Sequence, residues 1–366
     1  MGQIRLANNK FKINLSMKRK QYYVGIDVSK PYFDASLLPV VDYQKQAIIT
    51  ERFENTNQGI KNFEKWLKSN EVSFDSQSLV VMENTGIYHR LIWKFCSKKN
   101  IPLHIGNAAH IKWSFGIARG KSDVIDSKRL CVYAYKESDN LKAGPSLNPD
   151  LLKLKDLMSS RSKLLLQLNG IKRHLNELKM SNDKTTQTLM EGVHKQAMEG
   201  LKKSIKKIES LIMDIVKSDA VMFRNYQLLI TVPGVGHLTA VYILCCTNNF
   251  VCKISGKQLA CYAGVVPFEH SSGISIKGKN RVHKMANKEL KSMLHLSSLV
   301  AIQRYPEFRN YYERKKAEGK HSMSVLNAIK NKIILRAAAV INSQKPYQEN
   351  HPYESQIFRK RYLQKA

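Results

Sequence analysis

Near its start the chain alternates apolar and polar positions, and the alternation runs into an acid. Tyr22-Tyr23-Val24-Gly25-Ile26-Asp27-Val28-Ser29 has the two-residue period of a half-buried strand, and Ser29-Lys30-Pro31 turns it into a second apolar run, Phe33 to Leu38. The stretch predicts a β-hairpin with Asp27 at the end of its first arm. A carboxylate on a core strand is costly to bury unless a cation lies against it, although an isolated Asp also reads as a turn cap. A third strand is expected near Ile48–Phe53. A helix follows from about Asn57 to Ser69, with Ile60, Phe63, Trp66 and Leu67 on its apolar face. Ser78–Met82 reads as a strand ending on Glu83, followed by a helix with Leu91, Ile92 and Phe95 and a strand at Leu103–Ile105. A basic, glycine-punctuated segment, His110 to Lys121, leads into a helix from about Val124 to Lys136. Three antiparallel strands, a crossover helix and further parallel strands predict an α/β domain of the RNase H type over residues 21–141.

After the Pro-, Gly- and Asn-rich stretch Leu141–Pro149, which reads as a linker, the period changes. Leu151, Leu154, Met158, Leu165, Leu168, Leu175 and Leu178 recur mostly at spacings of three, four or seven, and a second run follows at Leu201, Ile205, Ile208, Ile212 and Ile215. Two long amphipathic helices turning near Ser181–Lys184 are expected over 150–220, as an antiparallel hairpin or coiled coil. Their apolar stripe reads as core or as an oligomer seam, and Lys202, Lys203, Lys206 and Lys207 as a solvated face. Residues 226–342 read as a mostly helical domain. There Val232-Pro233-Gly234-Val235-Gly236-His237 places a glycine-rich turn between two helices. In helix–hairpin–helix modules such a turn, here Gly234 and Gly236, offers backbone N–H groups to a DNA phosphate; it also serves as a tight turn without a ligand. Beyond Ala263-Gly264-Val265-Val266-Pro267 comes a basic loop with Ser271, Ser272, Lys277, Lys279, Arg281, His283 and Lys284, then helices from about Asn287 to Arg304 and Ser322 to Val340. Residues 1–20 read as a loose basic arm and 343–366 as a basic tail.

Charge narrows the function. Across 366 residues, 60 Lys and Arg stand against 29 Asp and Glu, a formal charge of +31. That excess implies a polyanionic partner, DNA or RNA. A membrane role is disfavoured, because there is no signal peptide and no apolar run of the roughly 18 residues a spanning helix needs. Cys96, Cys131, Cys245, Cys246, Cys252 and Cys261 form no C-x-x-C pair and sit mostly among apolar residues. Buried reduced thiols and a cytosolic location follow, rather than zinc or disulfides.

The acids suggest the chemistry. Asp27 and Glu83 end two predicted strands, and Asp123 and Asp126 lie at i and i+3 on one face of a helix start, where like charges destabilise the helix unless a cation bridges them. Asp123 alone also reads as an N-cap. Four carboxylates suit one or two Mg²⁺ ions, about 3.5–4 Å apart when two are present, in phosphoryl transfer.

Gly25-Ile26-Asp27-Val28-Ser29-Lys30, Glu83-Asn84-Thr85-Gly86 and Lys121-Ser122-Asp123-Val124-Ile125-Asp126 together resemble the DEDD catalytic domain of the insertion-sequence-110 transposases, relatives of the Piv and MooV DNA invertases. Pro233-Gly234-Val235-Gly236, Ala263 to Pro267, Ser272-Gly273 and Asn287-Lys288-Glu289-Leu290-Lys291 resemble the same family's second domain, and the motifs occur in the family's order. The resemblance implies a RuvC-like fold with Asp27, Glu83, Asp123 and Asp126 as metal-binding acids. It implies a serine nucleophile at Ser272, with Ser271 as rival, in an oligomeric site-specific recombinase, a dimer or tetramer. It also implies a structured noncoding bridge RNA that pairs with target and donor DNA. Many relatives carry Gly and Arg where this chain has Ala286 and Lys291, which reduces a bidentate phosphate contact to a point charge.

Read from the residues alone, no Ser-His-Asp spacing is present, so a serine nucleophile would depend on the metal cluster for activation, with His270 and His283 as phosphate contacts or surface histidines. Lys277, Lys279, Arg281, Lys284 and Lys291 are expected to neutralise phosphates. No base-reading element stands out, which suits specificity delegated to nucleic-acid pairing. The alternative is a Mg²⁺-dependent hydrolytic nuclease or Holliday-junction resolvase in which the acids activate water. A non-catalytic scaffold is disfavoured because all four acids are present.

Overall fold

The opening hairpin forms as its alternation requires. In the computed structural model, which describes residues 20–84, 86–115, 122–181, 183–272, 276–283 and 285–348, β1 (Lys20–Val28) pairs antiparallel with β2 (Tyr32–Val41). On the far side of β2 lie β3 (Gln44–Lys45) and β4 (Ile49–Glu54), both antiparallel to it. The chain then crosses over through α1 (Asn57–Ser69), so β5 (Ser78–Glu83) pairs parallel with the other edge of β1. After α2 (Arg90–Lys99), β6 (Leu103–Gly106) extends the sheet parallel to β5; α3 (Ala108–Ser114) and α4 (Asp123–Lys136) complete this unit. The strand order is β3-β2-β1-β5-β6, with β4 also against β2. Apart from the two-residue β3, which the sequence does not announce, the three longer antiparallel strands, the crossover helix and the parallel strands are the arrangement expected.

Alternation assigns the two faces of the sheet. Val24, Ile26, Phe33, Ala35, Val80 and Met82 point to one face, where α1 and α2 bury Phe63, Trp66, Leu67, Ile92 and Phe95 against them. Tyr23, Leu38, Val40 and Val81 point to the other and pack against Leu130, Cys131 and Ala134 of α4. Each Val, Leu, Ile, Phe or Met side chain so withdrawn from water contributes about 1.5–3 kcal/mol. Helix α1 starts where Thr56 caps it, its hydroxyl accepting from Gly59 N at 3.1 Å. Burial pushes the Cys96 and Cys131 thiols up to about 12, as for inert core cysteines.

A second unit begins after Leu147. Asn148 caps α5 (Pro149–Leu178), accepting from Asp150 N and Leu151 N, and Pro149 occupies the first turn, where its missing N–H costs nothing. Helix α6 (Lys184–Ser218) returns antiparallel to it: Arg161 pairs with Glu209 at 2.7 Å and Lys179 with Glu191 at 3.6 Å, the numbers rising on one helix as they fall on the other. The base of this pair shares one core with the rest of the unit, because Leu151, Leu154, Met158, Ile212 and Val216 pack with Leu244, Leu290, Leu294 and Ile333. That remainder is α7 (Ala220–Ile230), α8 (His237–Cys246), α9 (Gly256–Tyr262), β7 (Pro267–Ser272), β8 (Ile276–Val282), α10 (Lys288–Arg304), α11 (Pro306–Ala317) and α12 (Ser322–Ser343). No helix among the described residues is long and apolar enough to cross a membrane.

Candidate active site

Three acids reach one face of the first unit's sheet by strand alternation. Asp27 follows Tyr23 and Gly25 on the α4 side, Glu83 follows Val81, and Asp34 precedes Ser36 and Leu38. Asp27 and Asp34 are direct partners across the β1–β2 hairpin, and Glu83 ends the neighbouring strand β5. Helix α4 delivers two more. Its N-cap is Ser122, whose hydroxyl accepts from Ile125 N at 3.3 Å, so Asp123 is not needed as a cap and both Asp123 and Asp126 sit in the first turn.

Gly25 makes this approach possible. A Cβ there would overlap Cys131 N and Ser127 O and lie 2.6 Å from Leu130 C, all backbone atoms of α4. The helix therefore lies directly on β1, held by the Cys131 thiol donating to Tyr23 O at 3.0 Å and by Ser127 Oγ at 2.8 Å from Ser36 Oγ.

Asp27 registers the convergence. Its carboxyl is pushed up to about 6, first by burial and then by the charges of Asp123, Asp126, Glu83 and Asp34. Three of the neighbours have visible partners. Arg52, directly opposite Asp34 on β4, grips it with Nε–Oδ1 at 3.0 Å and Nη2–Oδ2 at 2.8 Å. Tyr32 donates its hydroxyl to Asp123 Oδ2 at 3.1 Å, and Arg129 donates to Asp126 Oδ1 at 2.9 Å. Among the described residues no hydrogen bond or ion pair engages Asp27. Nor, among them, are three His, Cys, Asp or Glu side chains drawn close enough to hold a metal ion as they stand. The other three expected acids, Glu83, Asp123 and Asp126, all lie within electrostatic range of Asp27. Asp34 and Arg52 join them although sequence reading missed both. The signal was an acid in the apolar run Phe33–Leu38 and a basic residue on the strand that pairs with it.

The second unit presents the other candidates. The basic stretch with Lys277, Lys279 and Arg281, expected as a loop, forms instead β8 of a two-stranded antiparallel ribbon with β7, which carries Ser271 and Ser272. The correction is physical: the ribbon joins no larger sheet, so its sequence carries little of the apolar alternation that marks a core strand. Ser272 pairs with Ile276 at its closing end and Ser271 with Lys277; Lys277, Lys279 and Arg281 occupy alternate positions of β8. Lys284 lies outside the described residues.

The root of the ribbon is made by two of the sequence motifs. Gly264 adopts φ +65° where a Cβ would overlap that of Ala286, and Asn287 N donates to Tyr262 O at 2.8 Å. Asn287 caps α10, its Oδ1 accepting from Leu290 N at 2.8 Å, while Nδ2 donates to the Tyr262 hydroxyl at 2.9 Å. Asn327 Nδ2 donates to Val265 O at 2.7 Å. Lys291 is half-buried on α10; Lys330, only 4% exposed, has its pKa lowered first by burial and then by the Lys291 charge.

The turn between α7 and α8 separates its two glycines. Gly234, at φ +85°, faces α10: a Cβ would lie 2.7 Å from Ser297 O. Gly236 is the exposed N-cap of α8 with open space around it, so it alone presents its backbone outward.

Two family models match the chain, and the first runs past the first unit through α5. Residues 24–179 match a family model described as a transposase, the DEDD domain of IS110 elements, and residues 226–313 match the transposase IS116/IS110/IS902 family. The chain is similar to the pilin gene-inverting proteins of Moraxella bovis and Moraxella lacunata, each 27% identical over 329 residues, 89% of this chain and 97% of the relative. It is also similar to an uncharacterized protein of insertion element IS110 from Streptomyces coelicolor, 34% identical over 106 residues, 29% of this chain and 26% of that one.

Proposed function

This chain belongs to the IS110 family of transposases and is a DNA recombinase, and we propose that it cuts and rejoins DNA through a phosphoserine on Ser272. The observation that carries this reading is the gathering of Asp27, Glu83, Asp123 and Asp126 at one end of the sheet, with Asp27 left unneutralised. The donor set is all carboxylate oxygen, which fits a hard divalent ion, one or two Mg²⁺. Such an ion would supply positive charge to the phosphoryl oxygens and the leaving oxygen.

The chain's own groups do the rest. The Ser272 hydroxyl forms an O–P bond as the phosphodiester's P–O bond to one nucleoside breaks, leaving that nucleoside with a free hydroxyl. The hydroxyl of the incoming strand then reverses the exchange and restores the serine. The bond energy stays in the phosphoserine, so rejoining needs no ATP. Lys277, Lys279, Arg281, Lys284 and Lys291 neutralise the flanking phosphates, and the N-terminus of α8 at Gly236 holds another. A bridge RNA supplies sequence choice, a reading supported by the +31 charge and the family match. A dimer or tetramer follows from the need for several active sites in strand exchange, and the cytoplasm is where its DNA lies. Mixing Asp27→Ala and Ser272→Ala chains tests sharing between copies: restored activity is expected, and none at any ratio contradicts it.

The direct test uses DNA spanning the gene's own flanks, RNA transcribed from them, and Mg²⁺. A protein–DNA adduct that survives denaturation is expected from the parent chain and from Ser271→Ala, and none from Ser272→Ala or Asp27→Asn. Free ends without adduct assign the attack to water, the hydrolytic reading. Loss of adduct in Ser271→Ala alone moves the role to that neighbour.

A further inference from the structure

We propose that Asp34, Arg52 and Tyr32 form a relay that positions Asp123 for metal binding, an inference that rests on the reading of the four acids as metal ligands. Asp123 stands on the first turn of α4 with its side chain 45% exposed, and its hydrogen bond and ion pair come from β2 and β4. Asp34 is 1% exposed and cannot move; it takes both prongs of the Arg52 fork, which sets the plane of the guanidinium. That plane lies over the Tyr32 ring at 3.9 Å from its centroid. From this stack two groups reach Asp123 Oδ2: the Tyr32 hydroxyl at 3.1 Å and Arg52 Nη2 at 3.9 Å. The same fork sets a positive charge against Asp34, which faces Asp27 across the hairpin. Arg52 and Tyr32 are positioning residues: they act through Asp123. Lys cannot replace Arg52, because an ammonium has neither the two-pronged match to Asp34 nor a plane to stack on Tyr32. Outer-shell partners of this kind typically account for about 10–100-fold in metal affinity.

The experiment is Mn²⁺ binding to the full chain, without nucleic acid and well below the melting temperature, by titration calorimetry or electron paramagnetic resonance. The variants are Tyr32→Phe, which keeps the ring and loses only the hydroxyl, and Arg52→Lys, which keeps the charge and loses the fork. Both are expected to bind Mn²⁺ about tenfold or more weakly, with the metal-free melting temperature of Tyr32→Phe near that of the parent chain. A purely structural role for the trio would lower melting temperatures and leave the Mn²⁺ affinity unchanged; parent-like affinity in both variants overturns the proposal. Asp27→Asn is the control for the underlying reading. If the parent chain does not saturate with Mn²⁺, or Asp27→Asn binds as well as the parent, the metal-holding reading itself falls and takes the relay with it.

Discussion

Asp27 and Asp34 are register partners across the first β-hairpin, two carboxylates on the same face of adjacent strands. One is neutralised by the Arg52 fork and the other is not. The asymmetry marks Asp27 as the acid whose charge the folded chain leaves to be met from outside, and it has a consequence for stability.

The Asp27 carboxyl is raised from 3.8 to about 6, so between those values the folded chain holds a proton that the unfolded chain has lost. Its contribution is therefore full below pH 3.8, falls as pH rises through 6, and is level above. In metal-free protein at pH 7.5, Asp27→Asn is expected to raise stability by about 1–2 kcal/mol, the full shift being discounted for partial exposure, and to flatten the pH profile between 4 and 6. Mg²⁺ should raise the melting temperature of the parent chain and not of the variant. Denaturant melts across pH, with and without Mg²⁺, measure both.

Gly25→Ala should be among the most damaging small substitutions in the first unit. The added methyl meets the backbone of α4 and forces the helix off β1. A loss of about 1–3 kcal/mol is expected from overpacking. Activity should fall by more than the unfolded fraction explains, because Asp123 and Asp126 move with the helix. Melting curves beside adduct yield, measured where the variant remains folded, separate the two effects.

The two turn glycines should respond differently. Gly236→Asp places a good N-cap residue in open space, so the melting temperature should hold or rise. The new charge at the helix N-terminus should weaken DNA binding if a phosphate docks there. Gly234→Ala strains a left-handed residue against α10 and should lower stability first. Unchanged DNA affinity in Gly236→Asp would identify the turn as packing alone.

Phosphate neutralisation by the ribbon makes a quantitative prediction. Replacing Lys277, Lys279 and Arg281 together by Gln should lower the slope of log affinity against log salt by about 3 for duplex DNA, roughly 0.9 per lost contact. Affinity measured by anisotropy at four salt concentrations tests this. An unchanged slope would place the phosphates elsewhere on the chain.

The first unit was legible because its elements carry the periods of their structures. Helix α1 begins and ends at Asn57 and Ser69 as its apolar face predicts, and Asp27 and Glu83 stand at strand ends as expected. Asp34 was not legible from local pattern, because its partner Arg52 comes from a strand paired across the sheet and neither residue signals that pairing by itself. Sequence reading also passed over α11, a short, highly charged helix that starts at Pro306 and buries only Phe308. The β7–β8 ribbon was missed for the complementary reason, being strand without a core face. What remains illegible in every motif is distance: Gly25 looks like any glycine until α4 is found resting on it.

The measurement that bears most directly on the account is the identity of the residue joined to DNA. The trapped adduct is digested with nuclease and protease, and the peptide carrying the residual nucleotide is sequenced by mass spectrometry. A nucleotide on Ser272, in the peptide between Pro267 and Lys277, is the predicted result. A nucleotide on any other residue, or DNA cleaved with no nucleotide-bearing peptide at all, contradicts it.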